Sequence, residues 1–164
     1  MKNDDHYSEM KERFKKLADR MPLLLQSLLE QPLIARDNIG IIQVPERGVY
    51  IFYENDAAIY VGRSNRLKQR IQEHSRPSSM HNSASFAFNI AKEIIARHLD
   101  IPKDATRKQL EKAPGFDRLF YEAKARVARM KIRVKGVDDQ VTQALFEIYA
   151  ALTLNTKYND FSTH

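Results

Sequence analysis

Apolar residues recur at alternating intervals of three and four along the first part of the chain, a spacing typical of one face of an amphipathic helix. The residues of this stripe are Tyr7, Met10, Phe14, Leu17, Met21, Leu24 and Leu28. Pro22 interrupts it, so we expect a break there, with Pro22 in the first turn of a second helix. We expect the stripe to cover the main core, and a dimer seam is the alternative. The pattern predicts a helical N-terminal extension over residues 1–45 and a second domain over residues 46–160.

Near Gly48 the spacing of the apolar residues changes from helical to alternating. Two runs rich in β-branched and aromatic residues, 48–53 and 58–62, flank a turn-forming segment, which predicts a β-hairpin. If Tyr50 and Tyr60 lie directly opposite each other, the hairpin needs an odd-numbered loop centred on Asn55.

Several helices are expected after the hairpin. Ser64 or Asn65 can cap a short helix that ends near residue 74 and buries Leu67 and Ile71. The later helices are expected from residue 83 or 85 to 98, from 104 (capped by Asp104) to 114, and from 116 to 128.

Residues 129–135 alternate strictly between basic and apolar side chains. The apolar positions are Met130, Ile132 and Val134, and the basic ones are Arg129, Lys131, Arg133 and Lys135. This alternation predicts a third strand with one buried face and one basic face.

Asp138 or Asp139 is expected to cap the last helix of the chain. Its apolar residues are Val141, Ala144, Leu145, Ile148 and Leu152. Together these elements predict an α+β fold, with a small three-stranded antiparallel sheet flanked by helices.

Composition narrows the class of protein. The chain has 164 residues, of which 43% are hydrophobic and 29% charged, enough for one domain with a core and too apolar for a disordered chain. Zero cysteines exclude disulfides, thiolate nucleophiles and cysteine-ligated metal sites. The N-terminus has no apolar leader and no apolar stretch is long enough for a bilayer, so we expect a cytoplasmic protein with no membrane partner.

The charge is positive and unevenly distributed. The net charge is +6 and the isoelectric point is about 9.5. Residues 62–81 contain five basic residues and one acid, and residues 124–135 contain six basic residues and no acid. Clustered cations favour a polyanion such as nucleic acid, and a solvated basic face is the alternative.

Two short motifs lie on the predicted hairpin strands. Gly-Val-Tyr stands at 48–50 and Tyr-Val-Gly at 60–62; Arg70 follows eight residues after the second motif, and His74 lies one helical turn further. Glu147 and a Lys-Tyr-Asn segment at 157–159 come near the end. In this order and spacing, residues 46–160 resemble the GIY-YIG endonucleases.

The resemblance implies a metal-dependent enzyme that hydrolyses DNA. It implies that Tyr50 or Tyr60 activates or contacts the attacking water and that Arg70 binds the scissile phosphate. It implies that His74 transfers a proton or contacts phosphate, and that Glu147 binds Mg²⁺ or Mn²⁺. Gly48, Gly62 and Asn159 are the supporting residues that it implies.

The residues themselves are compatible with this chemistry but do not require it. Glu147 is the only acid between Val141 and Asn159. A lone carboxylate on so apolar a helix usually lies at the edge of the buried face, with its charge exposed to water. A single carboxylate with waters and a substrate phosphate also suits a hard divalent cation. Arg70 and His74 share one helix face, because they lie four residues apart.

Further basic residues and histidines are candidate DNA contacts. The weaker candidates are Arg63, Arg66, His81, Arg129, Lys131 and Arg133. The alternative function is a non-catalytic nucleic-acid-binding module that keeps the same fold, and the N-terminal helices could form a homodimer in either case.

Overall fold

The computed structural model describes residues 2–98, 105–159 and 161, without the side chains of residues 2–7 and 10. Within these ranges the helices are α1 Lys2–Ala18, α2 Met21–Leu29, α3 Leu67–Glu73, α4 Ser85–His98, α5 Arg107–Glu111, α6 Phe116–Ala128 and α7 Gln140–Thr153. The strands are β1 Ile34–Ala35, β2 Gly48–Glu54, β3 Ala57–Ser64 and β4 Lys131–Gly136, and a 3-10 helix spans Arg36–Gly40. The side chains of Tyr7 and Met10, and the predicted cap Asp104, lie outside the described residues.

The strands form one antiparallel sheet in the order β1-β4-β2-β3, flanked by helices, which confirms the α+β class. The sheet has four strands instead of the predicted three. The additional strand, β1, has two residues, with Ile34 opposite Ile132. Two residues are too few to show an alternating pattern, so the sequence gives no signal for this strand.

The turn between β2 and β3 consists of Asn55 and Asp56, with φ angles of 49° and 63°. A two-residue turn with both residues in the left-handed region matches the twist of the flanking strands. On β3, Ile59 is an extra residue without an opposite number on β2, which forms a β-bulge.

The turn and the bulge change the pairing of the two tyrosines. Tyr50 lies opposite Gly62 and Tyr60 lies opposite Phe52, so the predicted direct pair is wrong. The extra residue is predicted in the turn between the strands, but it is Ile59, within β3. Tyr50 and Tyr60 nevertheless lie on the same face of the sheet, with ring centroids 6.4 Å apart.

The sheet is buried on both faces. One face, with Tyr50 and Phe52, contributes to the larger core with apolar residues of α3, α4 and α6. The other face, with Val49 and Ile51, contributes to a smaller core with residues of α2 and α7. The hairpin therefore separates two layers of helices.

The N-terminal helices break near Pro22 as predicted, with the proline in the first turn of α2. Met21, Leu25 and Leu28 of α2 are buried against the sheet of the same chain. The stripe therefore covers the core mainly in α2, since Phe14 of α1 is 62% exposed. Nothing in the structure supports the homodimer predicted through these helices. No helix in the described part of the chain is long and apolar enough to cross a membrane.

The basic face predicted for β4 is partly covered. Arg133 lies opposite Ile51, its Nε donates to the carbonyl oxygen of Gln31 at 2.9 Å, and its guanidinium lies 5.2 Å from the ring centroid of Tyr53. Lys131 remains exposed. The pattern within one strand cannot reveal that α2 packs over its polar side.

α7 is capped by Asp139 as predicted, but a different face of the helix is buried. Val141, Ile148 and Leu152 are exposed. The buried residues are Thr142, Gln143, Phe146, Ala150 and Ala151. Small side chains allow this face to lie close to the sheet, and the Gln143 amide donates to the carbonyl oxygen of Val137 at 2.7 Å.

Two predicted caps differ in detail. α3 begins at Leu67 and receives no side-chain cap from Ser64 or Asn65. α5 is capped by Thr106, whose side chain forms a capping box with Gln109.

Candidate active site

Glycines at the ends of the hairpin strands allow Tyr50 to occupy its position. The ring of Tyr50 lies across Gly62 of β3, where a Cβ atom would collide with the Tyr50 hydroxyl. At the start of β2, a Cβ atom on Gly48 would collide with the carbonyl oxygen of Lys135. Both motifs therefore need glycine for close packing.

His74 contacts the Tyr50 hydroxyl, with Tyr50 Oη and His74 Nε2 only 2.6 Å apart. The exposed fractions of these residues are 1% and 0%. Burial lowers the pKa of His74 well below its ordinary value, and the positive charges of Arg70 and Arg36 lower it further. The imidazole is therefore neutral at neutral pH.

The predicted solvated face of α3 includes Arg66 and Arg70 but not His74. The side chains of Arg66 and Arg70 are 62% and 24% exposed, whereas His74 is fully buried. α3 ends at Glu73, so His74 lies at the helix C-terminus and directs its ring into the core. A buried ring does not reach a phosphate at the surface. The structure therefore contradicts the expected contact of His74 with phosphate and gives it a contact with Tyr50 instead.

Tyr60 is only partly buried and stacks on Phe86 of α4, with ring centroids 4.4 Å apart and an interplanar angle of 8°. Burial raises the pKa of Tyr50 and of Tyr60, and the negative charge of Glu147 raises both further, while Arg70 lowers them. The two phenols therefore keep their protons at neutral pH unless positive charge is added beside them.

Arg70 is held by the start of α4. Its guanidinium donates to the carbonyl oxygen of Ser83 at 2.6 Å and to Ser85 Oγ at 3.1 Å, and it lies 3.5 Å from the carboxylate of Glu73. These contacts fix the orientation of the guanidinium, and a quarter of the side chain remains open to solvent.

Glu147 reaches the site from α7, on the other face of the sheet. Its Oε2 accepts a hydrogen bond from Arg63 Nε at 3.0 Å, and its side chain is 22% exposed. Burial raises the pKa of Glu147, against the lowering effect of Arg63. Its charge influences Tyr50 and Tyr60, so the carboxylate lies within electrostatic reach of both phenols.

Glu147 is the residue that could hold a metal ion. The described residues contain no group of three or more His, Cys, Asp or Glu side chains that could form a cage. One half-buried carboxylate fits Mg²⁺ or Mn²⁺ bound mainly by waters and substrate phosphate, because such hard ions keep much of their hydration.

Asn159 fixes the outer edge of β3. Its Oδ1 accepts from the backbone N–H of Val61 and its Nδ2 donates to the carbonyl oxygen of Val61, both at 2.8 Å. The N–H of Tyr158 donates to the carbonyl oxygen of Ile59 at 3.1 Å. The asparagine therefore acts on the strand that carries Tyr60, and contacts the site only through it.

Other candidates lie in different surroundings. His81 Nδ1 lies 3.0 Å from the carboxylate of Glu111, beside the ring of Phe120. Arg129 and Lys131 line a cavity of about 410 Å³ near the hairpin turn. Neither group contacts the tyrosine pair within the described residues.

Several residues of the site are not predicted from the sequence in these roles. Ser83, Ser85 and Glu73 orient Arg70, and Phe86 supports Tyr60. The sequence does predict that α4 begins near Ser85. This hydroxyl at the start of a helix that follows a basic helix is the one sequence signal for its contact with Arg70.

Residues 46–113 match the family model described as the GIY-YIG catalytic domain. The matched range contains Tyr50, Tyr60, Arg70 and His74, and it ends before Glu147. A search of curated proteins and a search of solved structures gave no match.

Proposed function

Since the chain carries the catalytic domain of the GIY-YIG endonuclease family, we propose that it is a metal-dependent endonuclease that hydrolyses DNA phosphodiester bonds. The observation that carries this proposal is the convergence of four groups: the phenols of Tyr50 and Tyr60, the guanidinium of Arg70 and the carboxylate of Glu147. Hydrolysis of a phosphodiester needs a positioned water and positive charge at the phosphate, and this group of residues can supply both.

Arg70 is assigned to the scissile phosphate. The contacts with Ser83 and Ser85 hold its guanidinium before DNA arrives, so little conformational freedom is lost on binding. A planar guanidinium can donate two parallel hydrogen bonds to a phosphate, and its charge opposes the charge that develops during the reaction.

The tyrosine pair is assigned to the attacking water. Tyr60 is the more exposed of the two, and the Tyr50 hydroxyl is held by His74. A phenolate is the form that accepts a proton, and it is stabilised by hydrogen bonds and positive charge. Burial holds the pKa of both phenols above the ordinary value and Arg70 opposes that rise, so the phenolate needs the further positive charge that a bound divalent ion would bring.

His74 is assigned as a positioning residue. Because burial and two guanidinium groups keep the imidazole neutral, His74 is a poor general base. A neutral imidazole with its proton on Nε2 can donate to Tyr50 Oη and stabilise the phenolate. Its action on the reaction therefore passes through Tyr50.

Glu147 is assigned as the metal ligand. A bound Mg²⁺ or Mn²⁺ supplies charge that stabilises the phosphate and the leaving oxygen. Burial raises the pKa of Glu147 although the charges of Arg63 and Arg70 oppose that rise, and a divalent ion bound to the carboxylate would favour its ionised form. In the structure, Arg63 donates a hydrogen bond to one of the two carboxylate oxygens, Oε2.

The test is cleavage of plasmid DNA and branched DNA by the full chain with Mg²⁺, Mn²⁺ or EDTA. We expect cutting with either metal and none with EDTA. Tyr50→Phe and Tyr60→Phe should each remove most of the activity, while Tyr53→Phe, on the opposite face of the sheet, is the matched control and should cut normally. Equal activity of all four proteins, or cutting in EDTA, would contradict the proposal.

A further inference from the structure

The loop between α3 and α4, residues 75–84, contains no helix or strand, and half of its residues are exposed. We call it the connecting loop. It leads to the two serines that contact Arg70, whose guanidinium donates to the carbonyl oxygen of Ser83 at 2.6 Å and to Ser85 Oγ at 3.1 Å. Surface loops are more mobile than the elements that they connect. The position of the guanidinium therefore depends on the contacts that fix this loop.

Four alternate carbonyl oxygens of the connecting loop accept hydrogen bonds from cationic side chains. These carbonyls belong to Pro77, Ser79, His81 and Ser83. Lys124 of α6 donates to the first two, Arg107 of α5 donates to the third, and Arg70 of α3 donates to the fourth. One row of acceptors therefore links Arg70 to α5 and α6.

Lys124 holds the loop and is not a surface charge. It belongs to the basic run at 124–135, yet the residue is only 6% exposed. Its Nζ donates to the carbonyl oxygens of Pro77 at 2.5 Å and Ser79 at 3.1 Å, and it lies 4.5 Å from the ring centroid of Phe120. Burying a charge costs solvation free energy unless the charge is hydrogen-bonded, and the loop carbonyls supply those bonds. A residue this buried is a poor DNA contact and is well placed to fix the loop.

α5 holds the connecting loop at a second point. Arg107 Nη1 donates to the carbonyl oxygen of His81 at 2.8 Å, and the guanidinium lies 3.9 Å from the ring centroid of Phe88 on α4. The carboxylate of Glu111 lies 3.0 Å from His81 Nδ1. Residues of one short helix therefore contact both the backbone and the ring of His81.

Backbone hydrogen bonds connect these two points to the site. The carbonyl oxygen of Met80 accepts from the N–H groups of Ser83 and Ala84, at 3.0 Å and 2.9 Å. The carbonyl oxygen of Ser83 is in turn the one that Arg70 contacts. A shift of the loop would therefore move the acceptor that orients the Arg70 guanidinium.

We propose that Lys124 and Arg107 are positioning residues for the nuclease reaction, an inference that rests on the proposed function. They hold the connecting loop, and the loop holds the guanidinium of Arg70 in the orientation that the scissile phosphate requires. A displacement of about 1 Å in a group that binds the reacting atoms can cost about 100-fold in rate. The helices α5 and α6 thus contribute to the reaction through Arg70, without touching the substrate there.

The first test follows Arg70 without any cleavage. In the full chain labelled with ¹⁵N at arginine, Arg70→Lys identifies the Nε–H signal of Arg70. We expect this side chain to be ordered on the picosecond-to-nanosecond timescale in the wild type and more mobile in Lys124→Met and in Arg107→Gln. Lys108→Met, which removes an exposed charge from α5, is the matched control and should leave the signal unchanged.

An Arg70 side chain that stays equally ordered in Lys124→Met and in Arg107→Gln overturns the proposal. If Lys124→Met does not fold, the result with Arg107→Gln decides.

The second test measures whether the two positions act on the reaction through Arg70. Cleavage rates at saturating DNA are compared under conditions in which urea unfolding shows every variant to be folded. Lys124→Met should lower the rate about tenfold or more, with DNA affinity in EDTA unchanged. In the Arg70→Lys background the same change should cost about twofold or less, because residues that act through one group have non-additive effects.

Equal losses in the two backgrounds would mean that Lys124 does not act through Arg70, which overturns the proposal. A wild type that cuts no DNA with Mg²⁺ or Mn²⁺ would contradict the proposed function alone, since the mobility of Arg70 still decides whether the loop positions it.

Discussion

His74 shows how surroundings decide the chemistry of a residue. Its ring is buried, its Nε2 contacts the Tyr50 hydroxyl, and its Nδ1 has no hydrogen-bond partner among the described residues. Either tautomer of the neutral ring keeps this contact, because Nε2 donates to the Tyr50 oxygen when it carries the proton and accepts from the Tyr50 hydroxyl when it does not. The residue that looks like a proton carrier in the sequence is therefore better suited to holding a phenol in place.

The burial of His74 predicts a pH dependence of stability. Because its pKa in the folded protein lies well below the ordinary value of 6.5, the unfolded chain binds a proton that the native chain does not. The free energy of unfolding should therefore be highest above pH 6.5 and should fall by about 1.4 kcal/mol per pH unit below it, until the native histidine also titrates.

Urea unfolding at about pH 7.5 and about pH 5.5 measures this effect. His74→Gln should lose about 1 kcal/mol less than the wild type between the two pH values, whatever its absolute stability. The same loss in His74→Gln and in the wild type would show that His74 is not buried as a neutral ring.

Arg70 gives the second prediction at this scale. Arg70→Lys keeps the positive charge but loses the planar fork and the contacts with Ser83 and Ser85, so the cleavage rate should fall by about 100-fold or more while DNA affinity stays near that of the wild type. Rates under saturating DNA and binding in EDTA measure the two effects. Arg66→Lys, one turn earlier and exposed, is the control, and a normal rate in Arg70→Lys would mean that Arg70 does not bind the reacting phosphate.

At the scale of elements, β3 is the strand on which the site depends. It is an outer strand of the sheet, pairing with β2 on one side. On its other side, Asn159 and the backbone of Tyr158 bond to Val61 and Ile59. The segment after α7 thus completes the hydrogen bonding of this edge and fixes α7, with Glu147, relative to the hairpin.

Gly62 tests the packing of the hairpin. Gly62→Ala places a methyl group against the Tyr50 hydroxyl, so either the ring or the strand must move. We expect a loss of about 1–3 kcal/mol in the free energy of unfolding and a large loss of cleavage, because the Tyr50 hydroxyl no longer reaches its place beside His74. Thermal and urea unfolding together with cleavage assays measure both.

Gly40→Ala is the matched control, because the nearest atom to a Cβ atom there is Gln72 Nε2 at 3.6 Å, an ordinary contact. If Gly62→Ala is as stable and active as Gly40→Ala, the close approach of Tyr50 to β3 is not needed for the site.

Most elements could be predicted from the sequence, because their signals are local. The period of three to four residues, the break at Pro22 and the alternation around Tyr50 each depend on a few neighbouring positions. The register of the hairpin could not be predicted, because it depends on a β-bulge at Ile59 and no local pattern in the sequence marks that bulge. The buried face of α7 could not be predicted either, because an exposed Leu152 and a buried Gln143 reverse the usual preference.

The same distinction holds for the candidate site. The order of Tyr50, Tyr60 and Arg70 carries the resemblance, and the structure brings these residues together. The burial of His74 and the contact of Ser85 with Arg70 depend on how α4 packs against α3 and the sheet, and no short pattern encodes that arrangement.

At the scale of the whole molecule, the site lies where the two cores meet at the edge of the sheet. Tyr50 belongs to the larger core, whereas α7 packs on the opposite face, in the smaller core. Arg63 of β3 contacts Glu147, so the carboxylate approaches the tyrosines past the outer strand. The carboxylate and the phenols are therefore brought together only by the complete fold.

Glu147→Gln tests this arrangement and separates the two functions considered for the chain. The amide is nearly isosteric, and the lost ion pair with Arg63 is partly exposed and of small value, so folding should be preserved. The amide is a much poorer ligand for a hard divalent ion, so cleavage with Mg²⁺ or Mn²⁺ should vanish, while DNA binding in EDTA should persist or tighten because a negative charge beside the phosphate is removed. Glu122→Gln, on the exposed surface of α6, is the control and should cut normally. A non-catalytic binding module predicts no cleavage by the wild type or by either variant. Cutting by Glu147→Gln at the wild-type rate would mean that this carboxylate holds no catalytic metal.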